Sequence, residues 1–277
     1  MGTPAEPVTD LPVALTIAGS DSGGGAGIQA DIKVFFALGC HGTSAITALT
    51  AQNTVAVTGI QEVPPSFVVE QIDAVADDIG VDAAKTGMLA SAPIVEAVAE
   101  AVRRHALKLV VDPVFVSKHR DRLLAEAAVD ALKRELFPLA ELITPNLFET
   151  GALLGREVTT LAEVQDAAVS LQALGPSAVL VKGGHLDADE AVDVLFDGSE
   201  IHLLGGPRFD TEDTHGTGCA LSAAITARLA HGDGLLDAAR FGKDFISGAI
   251  RRSIRIGKGY GPVNPGWRYP AVSDGPS

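Results

Sequence analysis

Cysteine is nearly missing. The 277 residues hold only Cys40 and Cys219, too few for a disulfide framework, and this points to a reduced, cytoplasmic setting. Basic residues are scarce as well: 21 Lys and Arg stand against 35 Asp and Glu, a formal net charge of −14. That balance excludes a broad basic face for nucleic acid or an anionic membrane. A small anionic ligand is still allowed, because a few placed groups reverse a local potential. There is no long apolar run either. Val34 to Gln61 is uncharged but broken by Gly39, His41, Gly42, Gln52, Asn53 and Gly59, whereas a bilayer span needs roughly 18 apolar residues. The opening MGTPAEPVTDLP lacks the basic and apolar regions of an export signal. Glu6 stands where a myristoylation signal wants Ser or Thr. A soluble protein is expected.

Several signatures of common chemistry are absent. No G-x-x-x-x-G-K-[ST] string occurs, which excludes a P-loop. Gly25-Ala26-Gly27-Ile28-Gln29-Ala30 imitates a dinucleotide fingerprint, but the acid expected about 20 residues later is missing. His119-Arg120-Asp121 imitates a protein-kinase catalytic loop, yet Glu126 stands where that loop needs Asn. The seven histidines show no H-E-x-x-H and no paired Cys spacing, so no zinc site is expected.

What is present is a core-forming composition, 47% hydrophobic and 20% charged. β-Rich runs at 13–17, 83–87, 108–112, 141–144 and 178–182 read as strands. A hairpin over 191–204 turns at Asp197-Gly198-Ser199, and 41–63 reads as strands or a β flap. Helical patterns cover 26–39, 66–79, 93–105, 123–139, 147–154, 161–174, 219–231 and 235–255. In the first of them Ile28, Ile32, Phe35 and Phe36 form an apolar stripe. Such alternation implies an α/β protein whose mostly parallel sheet is covered on both faces. A (β/α)8 barrel is the alternative, but the hairpin and the 41–63 region suit an open sheet better. One domain over 13–265 is expected, between tails at 1–12 and 266–277.

The chemistry concentrates in Asp213-Thr214-His215-Gly216-Thr217-Gly218-Cys219, which runs straight into an apolar helix. A small-residue turn opening a helix leaves backbone N–H groups unpaired at the positive end of the dipole, a site suited to phosphate. Gly216 and Gly218 let the backbone approach a ligand. Cys219 sits where a thiol pKa tends to fall. A helix cap with a structural cysteine is the plainer interpretation of this string alone.

Three other strand ends add to it. Lys182, before Gly183-Gly184-His185, can reach transferring phosphates as a point charge. Asn146 and Glu149 have the spacing of a helix capping box, and equally could hold a hydrated Mg²⁺. Asp112, before Pro113 and Val114, closes another strand. Successive carboxyl ends of a parallel sheet are where such a fold binds ligands, and these groups are what phosphoryl transfer needs. On the N-terminal side a second glycine turn (18–31) leads into a helix carrying Asp31. Gln52 offers an amide that donates and accepts together, which suits a planar heteroaromatic acceptor. Met88 offers an adaptable wall for a flat ring, or an ordinary core side chain.

These strings resemble the hydroxymethylpyrimidine/phosphomethylpyrimidine kinases of thiamine biosynthesis, in the ribokinase-like superfamily. The likeness runs through TIAGSDSGGGAGIQADIK (16–33), SAITALTAQNT (44–54), AAKTGMLAS (83–91) and VVDPV (110–114). It continues through LITPN (142–146), VLVKGGH (179–185), DTHGTGCALSAAI (213–225) and GKGYGPVNP (257–265). The resemblance implies a three-layer αβα sandwich, a homodimer, and ATP with Mg²⁺. It implies phosphorylation of 4-amino-5-hydroxymethyl-2-methylpyrimidine (HMP) to HMP phosphate and then to HMP diphosphate.

By the same resemblance Gln52 and Asp31 contact the pyrimidine, with Gly19, Met88 and Val114 around it. Gly216, Thr217, Gly218 and Cys219 form the anion hole. Cys219 takes the place of the Asp base of the superfamily's sugar kinases, and as a thiolate it would accept the hydroxyl proton. Thr214, Asp112, Asn146, Glu149 and Lys182 serve the nucleotide, with Mg²⁺ near Asp112 and Glu149 through water. One stretch departs from the family pattern: VFVSKHRDRLL (114–124) carries Lys118, His119 and Arg120 where a small glycine-containing loop is usual. It bears on how the second step accommodates an extra phosphate. The rivals are a pyridoxal kinase of the same superfamily and a non-catalytic pyrimidine sensor.

Overall fold

The computed structural model describes residues 10–115, 126–184 and 190–269. Strand β1 (Val13–Asp21) is buried along most of its length, as a central strand must be when helices cover both faces. A glycine turn passes the chain to α1 (Gly27–Ala37). β2 (His41–Gln52) returns parallel to β1, and β3 (Val57–Glu62) folds back antiparallel on β2. Next come α2 (Pro65–Asp78), β4 (Ala83–Thr86), α3 (Ala92–His105) and β5 (Leu109–Val111).

α4 (Glu126–Ala131) runs into a π turn at Leu132–Leu136 and a 3-10 turn at Phe137–Leu139. A single regular helix was the expectation over this stretch, but Pro138 has no N–H to continue an α ladder. β6 (Ala140–Ile143), α5 (Leu147–Leu154), α6 (Leu161–Gln172) and β7 (Ala178–Val181) follow. β8 (Asp193–Phe196) and β9 (Ile201–Leu204) make the hairpin, and α7 (Thr217–Ala230) and α8 (Leu235–Arg251) come last.

The nine strands form one sheet in the order β3-β2-β1-β4-β5-β6-β7-β8-β9. From β2 to β7 every neighbouring pair is parallel, while β3, β8 and β9 pair antiparallel. The chain moves outward from β1 to β2, then returns to the other side of β1 at β4. That reversal opens a crevice at the carboxyl ends of β1 and β4.

Alternation along the strands feeds two cores. Leu15 and Ile17 pack with Ile72, Ile94, Val98 and Leu171 under α2 to α6. Ala14 faces the opposite layer, with Val34, Phe35, Ile225 and Phe245 from α1, α7 and α8. The architecture is therefore helix, sheet, helix. One side chain of the expected α1 stripe faces the other way: Phe36 is 74% exposed. The buried arc of α1 is Ile28, Asp31, Val34 and Phe35, and position 36 lies a full 100° step beyond Phe35. At the C-terminal end, packing continues past residue 265, where a tail was expected to begin. Trp267 lies against Phe245 at 6.2 Å between ring centroids, and its carbonyl accepts a hydrogen bond from Arg252.

Candidate active site

The carboxyl ends of β1, β4, β5, β6 and β7 open into one cavity of about 1230 Å³, closed from above by the start of α7. Gly216 is the N-cap of α7, with φ +78° and no side-chain cap; the Thr217 amide donates to the Thr214 carbonyl at 3.3 Å, which leaves the next amides of the first turn for a ligand. A Cβ on Gly216 would collide with the carbonyl of Gly25. A Cβ on Gly218 would sit 3.1 Å from Lys182 Nζ and 3.5 Å from Asp112 Oδ2. The cation of β7's end thus faces the bare backbone of α7's first turn.

Lys182 donates to Asp112 Oδ1 at 2.8 Å, and Thr144 donates to the same oxygen at 3.1 Å. Burial alone would discharge Lys182, but the Asp112 and Glu149 carboxylates outweigh it and raise its pKa. Burial would likewise raise Asp112, yet Lys182 and Lys85 hold it below the usual carboxylate range. Asn146 and Glu149 form a reciprocal capping box at the start of α5, with bonds of 2.9 and 2.8 Å. Both also line the cavity, so one pair of side chains caps a helix and faces the ligand space. Burial lifts Glu149 to about 7, against the opposing pull of Lys182.

The donor chemistry fits magnesium in one particular way. Asp112 Oδ1 is already occupied by Lys182 and Thr144, and a Glu149 oxygen accepts from the Asn146 amide. No cluster of three metal-ligating side chains occurs among the described residues. Two hard carboxylates beside a phosphate site suit a cation that keeps most of its waters. Asp112 and Glu149 would hold it through them.

On the opposite side, Gly19, Gln52, Met88 and Val114 all line the cavity. A Cβ on Gly19 would press to 3.3 Å from Met88 Sδ. Gln52 is steadied by the Thr50 hydroxyl at 3.2 Å, and its amide lies 3.4 Å from His215 Nε2. Thr214 and Thr217 line the cavity too. At the far end the walls turn apolar with Pro207, Phe209, Ile246 and Ile250. There Lys243 pairs with Asp193 at 2.8 Å.

Two expectations need correction. Asp31 does not reach the cavity. It is fully buried, bonded to Lys85 Nζ at 2.9 Å and to the Thr16 hydroxyl at 2.7 Å, because it falls on the inward arc of α1. At the half-buried Cys219 the thiol is pushed up to about 12 by burial, although Lys85 and a hydrogen bond from the Gly27 amide pull the other way, opposite to the lowered value expected at a helix start. The basic stretch at Lys118, His119 and Arg120 lies outside the described residues, as does His185.

Three site residues were missed from sequence. Asp21, at the end of β1, accepts from the amides of Gly23, Gly25 and Ala26 and from His215 Nε2 at 3.0 Å. Burial would raise its pKa, but His215 and the amides hold it down. Asp21 and His215 thereby lock the first glycine turn onto the glycine turn that opens α7. Lys85 is the third, a cation inside the fully buried strand AAKT. Its charge in an otherwise small apolar run was the available signal. Asp21 and His215 offered none, since their meeting depends on the fold.

Comparison with known proteins agrees with this geometry. Residues 21–264 match the family model described as phosphomethylpyrimidine kinase. A hydroxymethylpyrimidine/phosphomethylpyrimidine kinase of Streptomyces coelicolor is 50% identical over 96% of this chain and 98% of its own length. Among solved structures, an ADP complex of Bacillus subtilis pyridoxal kinase superposes with a TM-score of 0.86 at 40% identity, over 92% of this chain and 97% of that one. A phosphomethylpyrimidine kinase from Clostridium difficile gives 0.77 at 40% identity, over 86% and 99%. A match over most of its length, on both comparisons, places the chain in the phosphomethylpyrimidine kinase family.

Proposed function

We propose that this protein transfers the γ-phosphoryl group of ATP to the hydroxymethyl group of HMP, and then a second one to HMP phosphate. One observation carries the reading. The uncapped start of α7, the Lys182 ammonium facing Gly218, and the wall of Gly19, Gln52, Met88 and Val114 share a single cavity. In it the pyrimidine ring lies against Met88 and Val114, with the Gln52 amide pairing to its edge. The nucleoside takes the apolar limb near Phe209 and Ile246, which directs its phosphates toward Lys182.

The amides of the α7 turn meet the phosphoryl oxygens as charge develops on them, and Lys182 neutralises the remainder. Magnesium, when bound near Asp112 and Glu149, supplies further neutralisation of the phosphates. Cys219 enters as a neutral thiol, since its pKa is pushed up to about 12. Phosphoryl transfer passes through a loose transition state with little covalent work for the protein. The cysteine therefore contributes as part of the anion hole rather than as the base.

The reading includes a cytoplasmic homodimer of single-domain subunits, each domain running from about residue 13 past 265 to include Trp267. Two free cysteines agree with a reducing compartment, and among the described residues no helix is long and apolar enough to cross a membrane. Sedimentation should give twice the subunit mass. The decisive assay measures ATP consumption with HMP, HMP phosphate and pyridoxal side by side. Turnover of the first two is expected to exceed that of pyridoxal. The reverse order would make the chain a pyridoxal kinase, like its Bacillus subtilis structural relative, and pyrimidine binding without ATP consumption would make it a sensor.

A further inference from the structure

Lys85 is among the largest fully buried side chains, with no exposed surface. It lies on β4, packed against α7, and among the described residues its only ion-pair partner is Asp31 on α1. For stability alone this is a poor arrangement. A buried ion pair can often be replaced by apolar side chains without loss. Asp31 also leaves Oδ1 buried with no partner among the described residues, an unmet hydrogen-bonding demand that opposes folding. The ammonium borders the cavity beside the first turn of α7, at the positive end of that helix's dipole. Asp31 and Asp112 hold its charge against burial, and an anion arriving on the α7 turn would add to them.

The groups acting on Cys219 come from every element around it. Lys85 from β4 and Lys182 from β7 are positive, while Asp31 from α1 and Asp112 from β5 are negative. Of the pair, Lys85 borders the cavity and Asp31 does not. The pair therefore presents its positive end to the site. We propose that Lys85, oriented by Asp31, is a positioning residue that adds positive potential to the α7 phosphoryl cradle, acting through the field at that turn and not through the Cys219 thiol. This rests on the kinase reading above. It adds a cation that does not touch the substrate.

The test compares wild type, Lys85→Met and the charge-free pair Lys85→Met/Asp31→Leu, all in a Cys40→Ala background. Iodoacetamide labelling of Cys219 against pH, without nucleotide, reads the local potential directly. Removal of Lys85 should shift the labelling profile to higher pH and slow labelling at a fixed alkaline pH by about tenfold. It should lower kcat by at least about tenfold with KM for HMP within about twofold. If Lys85→Met does not fold, the double variant, checked by near-UV circular dichroism, decides alone and should stay slow. A double variant with wild-type kcat, or an unmoved labelling profile, would overturn the proposal by reducing the pair to packing. Should the wild type consume no ATP with HMP, the kinase reading falls while the labelling profile still judges Lys85.

Discussion

At Gly216 a left-handed φ of +78° coincides with a site where any Cβ meets the Gly25 carbonyl. Gly216→Ala therefore costs about 1–3 kcal/mol of backbone strain alone, and it displaces the amides that face the phosphoryl. A lower melting temperature with kcat reduced at least about 100-fold is the expected result. Gly218 differs, since its φ is ordinary and the nearest obstacle is the flexible end of Lys182. Gly218→Ala should fold normally yet lose about 100-fold in kcat by pushing that cation aside. Cys219→Ala should lose no more than about tenfold, because a thiol with its pKa near 12 is not the working base. A loss on the scale of a missing general base, measured by steady-state kinetics, would restore the thiolate mechanism. Cysteine at a helix start suggested a lowered pKa, but the depth of burial outweighs the helix end.

Two helices show how one local motif serves different ends. Asn146/Glu149 on α5 and Thr160/Glu163 on α6 are both capping boxes. Only the first stands at a strand's carboxyl end facing the cavity. Thr160→Ala should cost about 1 kcal/mol in urea denaturation and leave kcat unchanged. Glu149→Gln keeps an oxygen that accepts from the Asn146 amide, so the cap survives, but it should raise the Mg²⁺ concentration needed for half-maximal rate. The pH dependence follows from burial, which lifts Glu149 to about 7. As pH rises through that value the carboxyl ionises and wild-type dependence on added Mg²⁺ relaxes. In the Gln variant, Mg²⁺ titrations at several pH values should show no such change. The Asn-x-x-Glu spacing was legible in the sequence with both meanings open, since spacing describes the cap but not the cavity beside it.

On the scale of the whole molecule, a chain of net charge −14 gathers Lys85, Lys182, Lys243 and Arg208 around one cavity beside Asp21, Asp112, Glu149 and Asp193, so the overall acidic surplus disappears there. The overall sign limits what large partners bind, while the fold sets the local sign where a nucleotide would lie. Burial leaves a second global mark in the two thiols, raised to about 11 for Cys40 and about 12 for Cys219. Unfolded cysteines ionise first, so the stability these thiols contribute is whole below an unfolded pKa of about 8.5. It falls as pH climbs from there through the folded values. Urea midpoints measured from pH 8 to 11 should therefore decline more steeply for wild type than for Cys40→Ala/Cys219→Ala.

Elements, their order and the ligand-facing strand ends could be read in advance, because they follow from local patterns. Apolar spacing of two or about 3.6 residues marks strands and helices, and glycines cluster where backbone must approach a ligand. Lys182, Gly216 and Gln52 needed nothing more. Other parts exist only through contacts across the chain. Asp21 meets His215 over a separation of 194 residues, and Lys85 meets Asp31 over 54. Whether Asp31 would face the cavity depended on which arc of α1 turned inward, while Asp21 reaches it from the end of β1. The charge state of Cys219 depended on how much water the folded layers exclude, and no spacing of residues along a chain encodes that.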